Sequence, residues 1–190
     1  MKKDLKNQPC YDKEGHPIGW LSRSIATVGL VYAINKNGDF YYLLEERGTG
    51  CPDNIGKLCV PCGYLEYDVT LKENMSNEIY QETGLKVHPV NISFMNINDS
   101  IKENHQNVSI RFSVYCTYDH IYENLMDNTI NIDTESRGGE KDEVSKILFL
   151  KFDDILSMES DNFAFNHKEL IIEHYNKYGR SYCSATATHS

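Results

Sequence analysis

Two glutamates, Glu78 and Glu82, stand one helical turn apart within the stretch PCGYLEYDVTLKENMSNEIYQETGL. Two carboxylates at this spacing can reach a single ion, and carboxylate oxygens are the ligands that hard divalent cations prefer. The pair therefore predicts a divalent metal site. An acidic helix end that is solvated explains the same spacing, so both alternatives are open at this point.

The helix that carries these glutamates has a clear start and a clear stop. Thr70 followed by Glu73 is a capping-box pattern, and Gly84 ends the last turn, which predicts a helix from Leu71 to Thr83. At about 100° per residue, both glutamates continue an apolar stripe that includes Met75. Burying such carboxylates is costly unless a cation neutralises them. The stripe therefore favours a cation or a cleft at this end of the helix.

This stretch resembles the signature box of Nudix hydrolases, G-x5-E-x7-R-E-U-x-E-E-x-G-U, in which U is a bulky aliphatic residue. The matching frame runs from Gly63 to Leu85 and contains both glutamates in box positions. Flanking segments, among them SRSIATVGLVYAI, GKLCVPCGYLE and FAFNHKELI, resemble other parts of such enzymes over roughly Arg23 to Tyr178. The box departs from the family at three charged positions, where Val69, Asn77 and Gln81 replace Glu, Arg and Glu.

The resemblance implies an α/β protein, a Nudix-like α/β/α sandwich with a mixed β-sheet. It implies a hydrolase that cleaves a nucleoside diphosphate linked to another moiety and needs Mg²⁺ or Mn²⁺. The implied metal ligands are Glu78, Glu82 and the backbone carbonyl of Gly63 or its neighbour. Because Gln81 lacks a negative charge, we expect further metal ions to bind less well.

Other site residues follow from the same resemblance and from side-chain chemistry. An acidic residue on a later loop activates water in some relatives, and Glu140 or Glu143 matches it. We favour Glu140, because Glu143 opens a strand; with Glu78 and Glu82 it completes the expected catalytic set. Arg23 and Arg47 are expected phosphate contacts, since arginine binds phosphate oxygens in a bidentate manner. Surface charges without a role are the competing interpretation for each of these loop and arginine residues.

Bulk composition sets the class of protein. With 190 residues, 40% of them hydrophobic, the chain suits one globular domain. The net charge of -9 argues against a general nucleic-acid surface. No segment has the length and apolarity of a membrane span, so we expect a soluble, cytoplasmic protein. We predict an extension over 1–21, the Nudix domain over 22–178 and a disordered tail over 179–190.

The predicted elements follow the order β-β-β-α-β-β-β-α, which suits a mixed sheet covered on two faces. The helix lies between a short strand over 57–65 and two later strands. The polar stretch 122–141 is predicted to be a mobile loop, a candidate lid or dimer contact. The last helix is predicted from Asn166 to Tyr178.

Three functional hypotheses follow. The first is a metal-dependent pyrophosphohydrolase acting on a small nucleotide derivative, with homodimerisation possible. The second is a catalytically weakened Nudix domain that binds a nucleotide as a sensor or interaction module, which the three lost charges favour. The third is a zinc protein built on Cys51, Cys59 and Cys62, although free thiols are the favoured explanation of these cysteines. Stacking aromatics such as Tyr64, Tyr67 and Phe112 could contact a base, but the sequence does not identify the substrate.

Overall fold

The computed structural model describes residues 7–101 and 107–186 of the chain. These residues contain nine strands and four α-helices. In chain order they are β1 (Gln8–Tyr11), β2 (Pro17–Leu21), β3 (Ser24–Ile34), β4 (Phe40–Arg47), β5 (Leu58–Cys59), β6 (Cys62–Tyr64), α1 (Leu71–Thr83), β7 (Ile92–Asn98), β8 (Asn107–Tyr115), α2 (Tyr118–Met126), β9 (Val144–Lys151), α3 (Phe152–Ser157) and α4 (His167–Thr186).

The main sheet is mixed. Strand β3 pairs in parallel with β8 and antiparallel with β4 and β6. The central strand order is β5-β4-β3-β8-β7, and β9 pairs with β4. Strands β1 and β2 form a separate antiparallel hairpin.

Two hydrophobic cores lie on opposite faces of this sheet, because neighbouring strand residues alternate between faces. On one face Val31 packs with Met75 of α1 and Ile121 of α2. On the other face Leu30 packs with Leu170 of α4, together with residues of α3. This arrangement confirms the predicted α/β/α sandwich with a mixed sheet.

Helix α1 begins and ends where the sequence predicted. The Thr70 side chain accepts a hydrogen bond from the Glu73 N–H, and the Glu73 carboxylate accepts one from the Thr70 N–H. Gly84 adopts φ 81°, a left-handed conformation that glycine reaches without strain, and its N–H donates to Tyr80 O. Buried Met75 and Ile79 fix which face of the helix meets the sheet.

Three sequence predictions about elements are wrong. The single strand over 57–65 is two strands that pair with different partners, because Pro61 interrupts the ladder. The loop predicted over 122–141 contains most of α2, whose start is capped by Thr117 and whose buried anchor is Ile121. The polar composition of residues 122–141 favoured a loop and so concealed this helix.

The third correction concerns the last helix. It continues to Thr186, so residues 179–186 are helical rather than a disordered tail, and residues 187–190 lie outside the described part. Across residues 7–101 and 107–186, no helix is long and apolar enough to cross a membrane.

Candidate active site

A cavity of about 410 Å³ opens beside α1, within the size range of small-molecule sites. Strand β6, the loop before β9 and the start of α4 form its other walls. Its acidic side is lined by Glu66, Glu78, Glu140 and Glu143, and Gly63 and Gln81 line the same region. The structure thus brings together most of the residues that the sequence predicted for the site.

Gly63 is packed directly against the carboxylate of Glu78. A β-carbon at Gly63 would lie 2.3 Å from the Glu78 carboxylate oxygens, so only glycine lets this carboxylate keep its position. Burial, followed by repulsion from Glu143 and Glu66, raises the pKa of Glu78 to about 7. A nearby cation would stabilise the ionised form of this carboxylate.

Asn74, one turn before Glu78, ties helix α1 to the neighbouring strands. Its Nδ2 donates to Thr27 Oγ1 at 2.8 Å and to Tyr64 O at 3.2 Å, and it lies 3.5 Å from Glu78 Oε1. Its Oδ1 accepts from the Glu66 N–H at 2.8 Å. Sequence analysis missed this residue, although a short amide on the buried stripe of a helix was a visible signal.

Asn77, which the sequence analysis matched to the arginine of the Nudix box, is exposed on α1. In this chain the direct contact to Glu78 comes from Asn74 instead.

Glu82 lies behind the cavity wall and is only 2% exposed. Its Oε2 accepts a hydrogen bond of 2.9 Å from the Cys62 N–H, so α1 holds the start of β6 in place. Burial, followed by repulsion from Glu45, raises the pKa of Glu82 well above its ordinary value.

Glu45 on β4 joins this acidic group and was not anticipated from sequence. It is 2% exposed, and its Oε1 accepts a hydrogen bond from the Cys59 thiol at 3.2 Å. Its Oε2 is buried without a hydrogen-bond partner among the described residues. Burial raises the pKa of Glu45 to about 8. The clue in the sequence was an acidic residue that directly follows the apolar run FYYLL of β4.

The two acidic loop residues differ in their position. Glu140 is exposed, whereas Glu143 is half-buried, and its repulsion raises the pKa values of Glu45, Glu78 and Glu82. The backbone of Glu143 is fixed, because its carbonyl accepts bonds from the Gly48 N–H and the Cys51 thiol. The preference for Glu140 stays a prediction; Glu143 directly precedes β9 and lines the same cavity.

The donor set fits a hard divalent cation. Repulsion among Glu45, Glu78, Glu82 and Glu143 helps to raise the pKa values of the first three, and Glu45 Oε2 is buried without a hydrogen-bond partner among the described residues. In the described part of the chain, no three or more His, Cys, Asp or Glu side chains converge on one metal position. Mg²⁺ takes one or two carboxylates and completes its shell with waters and substrate oxygens, so Glu78 and Glu82 meet its requirement.

The two arginines that were predicted as phosphate contacts differ in their position relative to the cavity. Arg47 lines the cavity, where its Nε donates to Asp53 O at 3.1 Å and its Nη2 to Asp53 Oδ1 at 3.2 Å. Arg23 is not among the cavity-lining residues; its guanidinium donates to the carbonyl oxygens of Asp99 and Asn107. The structure therefore does not bring Arg23 to the site. Its place among the basic lining residues is taken by Arg111, an arginine inside a strand that sequence analysis passed over.

His167 stabilises the cavity wall. It is buried, and its Nδ1 accepts a hydrogen bond from the Val60 N–H at 3.2 Å. Burial, followed by the charges of Arg111 and Arg47, lowers the pKa of His167 to about 3. It is therefore neutral and packs as a structural residue of the cavity wall.

The cysteines make hydrogen bonds that suit free thiols. Cys59 donates to Glu45 and Cys51 donates to the Glu143 carbonyl, and both cysteines are unpaired, as is Cys62. With no metal-holding cluster among residues 7–101 and 107–186, the zinc hypothesis gains no support.

Known proteins agree with this architecture at low sequence identity. No protein-family model and no curated protein matches the sequence. Among solved structures, a MutT/nudix family protein from Enterococcus faecalis superposes with a TM-score of 0.63 at 14% identity, over 86% of this chain and 65% of that one. This chain thus spans just under two thirds of that protein.

In two further superpositions, a larger share of the solved chain is matched. A mutT/nudix family protein from Listeria innocua has a TM-score of 0.62 at 14% identity, over 85% of this chain and 98% of that one. The NUDIX domain of Shewanella oneidensis NrtR, solved with ADP ribose, has a TM-score of 0.61 at 15% identity, over 82% and 88%. The central sheet, its two helical layers and these superpositions show that the chain has the Nudix fold.

Proposed function

We propose that this chain hydrolyses the pyrophosphate linkage of a nucleoside diphosphate derivative with the help of Mg²⁺ or Mn²⁺. The observation that carries the proposal is the carboxylate of Glu78, held against Gly63 at the edge of the cavity with Glu82 behind it. A substrate diphosphate in this cavity would meet an acidic wall, which repels it unless a cation lies between them.

The geometry of strand β6 supports a choice between the two candidate backbone ligands. Pro61 O and the Leu65 N–H both bond to β3, so the alternation of an antiparallel ladder turns Gly63 toward β3 as well. Cys62 then points away from β3, and its N–H indeed bonds to Glu82. The carbonyl of Cys62 therefore faces the same side as Glu82. We assign the backbone ligand to Cys62, the neighbour of Gly63, rather than to Gly63 itself.

The other ligands are the carboxylates of Glu78 and Glu82. When bound, the cation screens the phosphate charge, orients a water and stabilises the leaving oxygen. Asn74 keeps the Glu78 carboxylate turned toward the cavity, and the bond from Cys62 N–H to Glu82 keeps helix and strand in register.

Proton removal from the attacking water is assigned to Glu143. Burial raises its pKa, which makes it a stronger base than an exposed glutamate, and its backbone is fixed by the loop after β4. Glu140 lines the same cavity and is the second candidate.

A nucleotide-binding module without turnover is the alternative function. The specific observation behind it is the loss of charge at Val69, Asn77 and Gln81, of which Gln81 lines the cavity. The similar NrtR domain was solved with ADP ribose, which supports a nucleotide derivative as ligand under either function.

One experiment separates the two. Purified protein is incubated with nucleoside triphosphates, dinucleoside polyphosphates, ADP-ribose, NADH and nucleotide sugars, with Mg²⁺, with Mn²⁺ or with EDTA, and phosphate-containing products are quantified. Turnover that requires the cation supports the hydrolase. Binding of a panel member by calorimetry without turnover supports the binding module instead.

A further inference from the structure

The loop before α4 presents an aromatic ring to the cavity. Phe165 lines the cavity and is 55% exposed, although the residues on either side of it, Ala164 and Asn166, are buried or half-buried. Its backbone has φ 56°, in the left-handed region that bulky residues rarely adopt. The chain therefore accepts local strain to hold this ring in an exposed position, which is a feature of ligand-contacting residues.

A second planar group lies over the ring. The Arg47 guanidinium carbon is 5.3 Å from the Phe165 ring centroid, within the range of a cation–π contact. Two hydrogen bonds to Asp53 fix the orientation of that guanidinium. Because these bonds use its Nε and Nη2, Arg47 is better placed as a planar neighbour than as a bidentate phosphate clamp.

The ring is supported from α4 and surrounded by polar groups. The neutral ring of His167 lies 5.3 Å from the Phe165 ring at an angle of 59°. Asn166 accepts a bond of 3.0 Å from Arg111 Nη2, and both line the cavity together with Asn98 and Ser109. Amide, hydroxyl and guanidinium groups around an aromatic surface are the groups that recognise the edges of a planar heterocycle.

The cavity thus has an acidic wall at Glu78 and an aromatic wall at Phe165. We propose that the nucleobase of the substrate stacks on Phe165 beside Arg47, while its diphosphate lies toward Glu78. This inference rests on the proposed function, since it takes the ligand to be a nucleoside diphosphate. Phe165 then gives the site its preference for diphosphates that carry a base over diphosphates that do not.

The competing aromatic residues are less well placed. Phe112 is 2% exposed and packs in the core, and Tyr67 is 94% exposed but does not line the cavity. Tyr64 lines the cavity and is the real competitor, with its hydroxyl donating to Asn107 Oδ1 at 3.2 Å.

The test compares two non-hydrolysable ligands by calorimetry in Mg²⁺: α,β-methylene-ADP, which has a base, and methylenediphosphonate, which has none. Replacing Phe165→Ala should weaken α,β-methylene-ADP binding about tenfold, the usual effect of losing one stacked base, and leave methylenediphosphonate binding unchanged. Phe165→Trp should preserve the preference for the base. Phe94→Ala is the matched control, because Phe94 is 58% exposed on β7 and lies outside the cavity lining; it should change neither affinity.

Every other outcome overturns the inference. Equal weakening of both ligands by Phe165→Ala means that the residue supports the site rather than the base. If Tyr64→Ala loses the preference for the base and Phe165→Ala does not, the base stacks on Tyr64 of β6 instead. Wild-type protein that binds both ligands equally has no base site. None of these results depends on turnover, so a failed hydrolase proposal and a failed stacking proposal remain distinguishable.

Discussion

Replacement of Asn74 by alanine tests the link between helix α1 and the strands of the site. The change removes the donors to Thr27 Oγ1 and Tyr64 O and the acceptor for the Glu66 N–H. Each buried polar group left without a partner costs about 1–3 kcal/mol, so the free energy of unfolding should fall by about 3 kcal/mol. For a domain of this size that corresponds to a decrease in Tm of about 6–12 °C.

The assay is thermal and urea unfolding followed by circular dichroism, with Asn124→Ala as control. Asn124 also donates to a backbone carbonyl, His120 O at 2.7 Å, but does so at the exposed surface of α2. The control should change the free energy of unfolding by less than about 0.5 kcal/mol. If Asn74→Ala unfolds at the same temperature as the control, Asn74 does not connect these elements and the account of how Glu78 is positioned fails.

A second substitution separates geometry from charge. Asn74→Asp keeps an oxygen for the Glu66 N–H but places a carboxylate 3.5 Å from Glu78 Oε1. We expect this variant to lose more stability than the wild type between pH 5 and pH 8, since a second carboxylate then adds like-charge repulsion, and to recover stability when Mg²⁺ is added. A loss no larger than that of the wild type would place the side chain of residue 74 away from Glu78.

Two further predictions concern the acidic group. The folded-state pKa values of about 7 for Glu78 and about 8 for Glu45 exceed the ordinary value of 4.5, so the folded chain holds more protons than the unfolded chain between these limits. Buried, neutral His167 contributes the opposite slope up to about pH 6.5, so the carboxylates are tested above that pH. Without divalent cations the free energy of unfolding should fall as pH rises from about 6.5 to 8, and Mg²⁺ should flatten that fall. Urea titrations at several pH values check both, and a rise over this window would contradict the assignment. Gln81→Glu adds a carboxylate at the cavity and should tighten Mn²⁺ binding about tenfold in an electron paramagnetic resonance titration, whereas an unchanged affinity would show that residue 81 does not reach the cation.

The sequence predicts this fold well where patterns are local. Helix α1 is bounded by a capping box and a glycine that act within a few residues, so its limits can be predicted without tertiary information. Strand β3 likewise follows from its apolar and β-branched composition. Helix α2 was missed although Tyr118, Ile121 and Leu125 share one face that packs against the core, because this stripe is short and a long polar stretch follows it.

The candidate site shows the same division. Glu78 and Glu82 can be predicted because their spacing and the box frame both lie in one segment. Glu45 and Arg111 enter the site from separate strands, and only the sheet pairing brings them near α1. Arg23 illustrates the opposite error: its residue type suited phosphate, but its donors are used by the carbonyls of Asp99 and Asn107.

The most direct test of the central claim is cation-dependent turnover by wild-type protein and Glu78→Gln, measured on the same nucleoside diphosphate derivative with Mg²⁺. Glu123→Gln, an exposed neutralisation on α2, is the control, and thermal unfolding verifies that each variant is folded. Removing one carboxylate ligand should lower turnover by about 100-fold or more, while the control retains wild-type activity. Undiminished turnover in folded Glu78→Gln would contradict the assignment of this glutamate, and with it the mechanism proposed for the cavity.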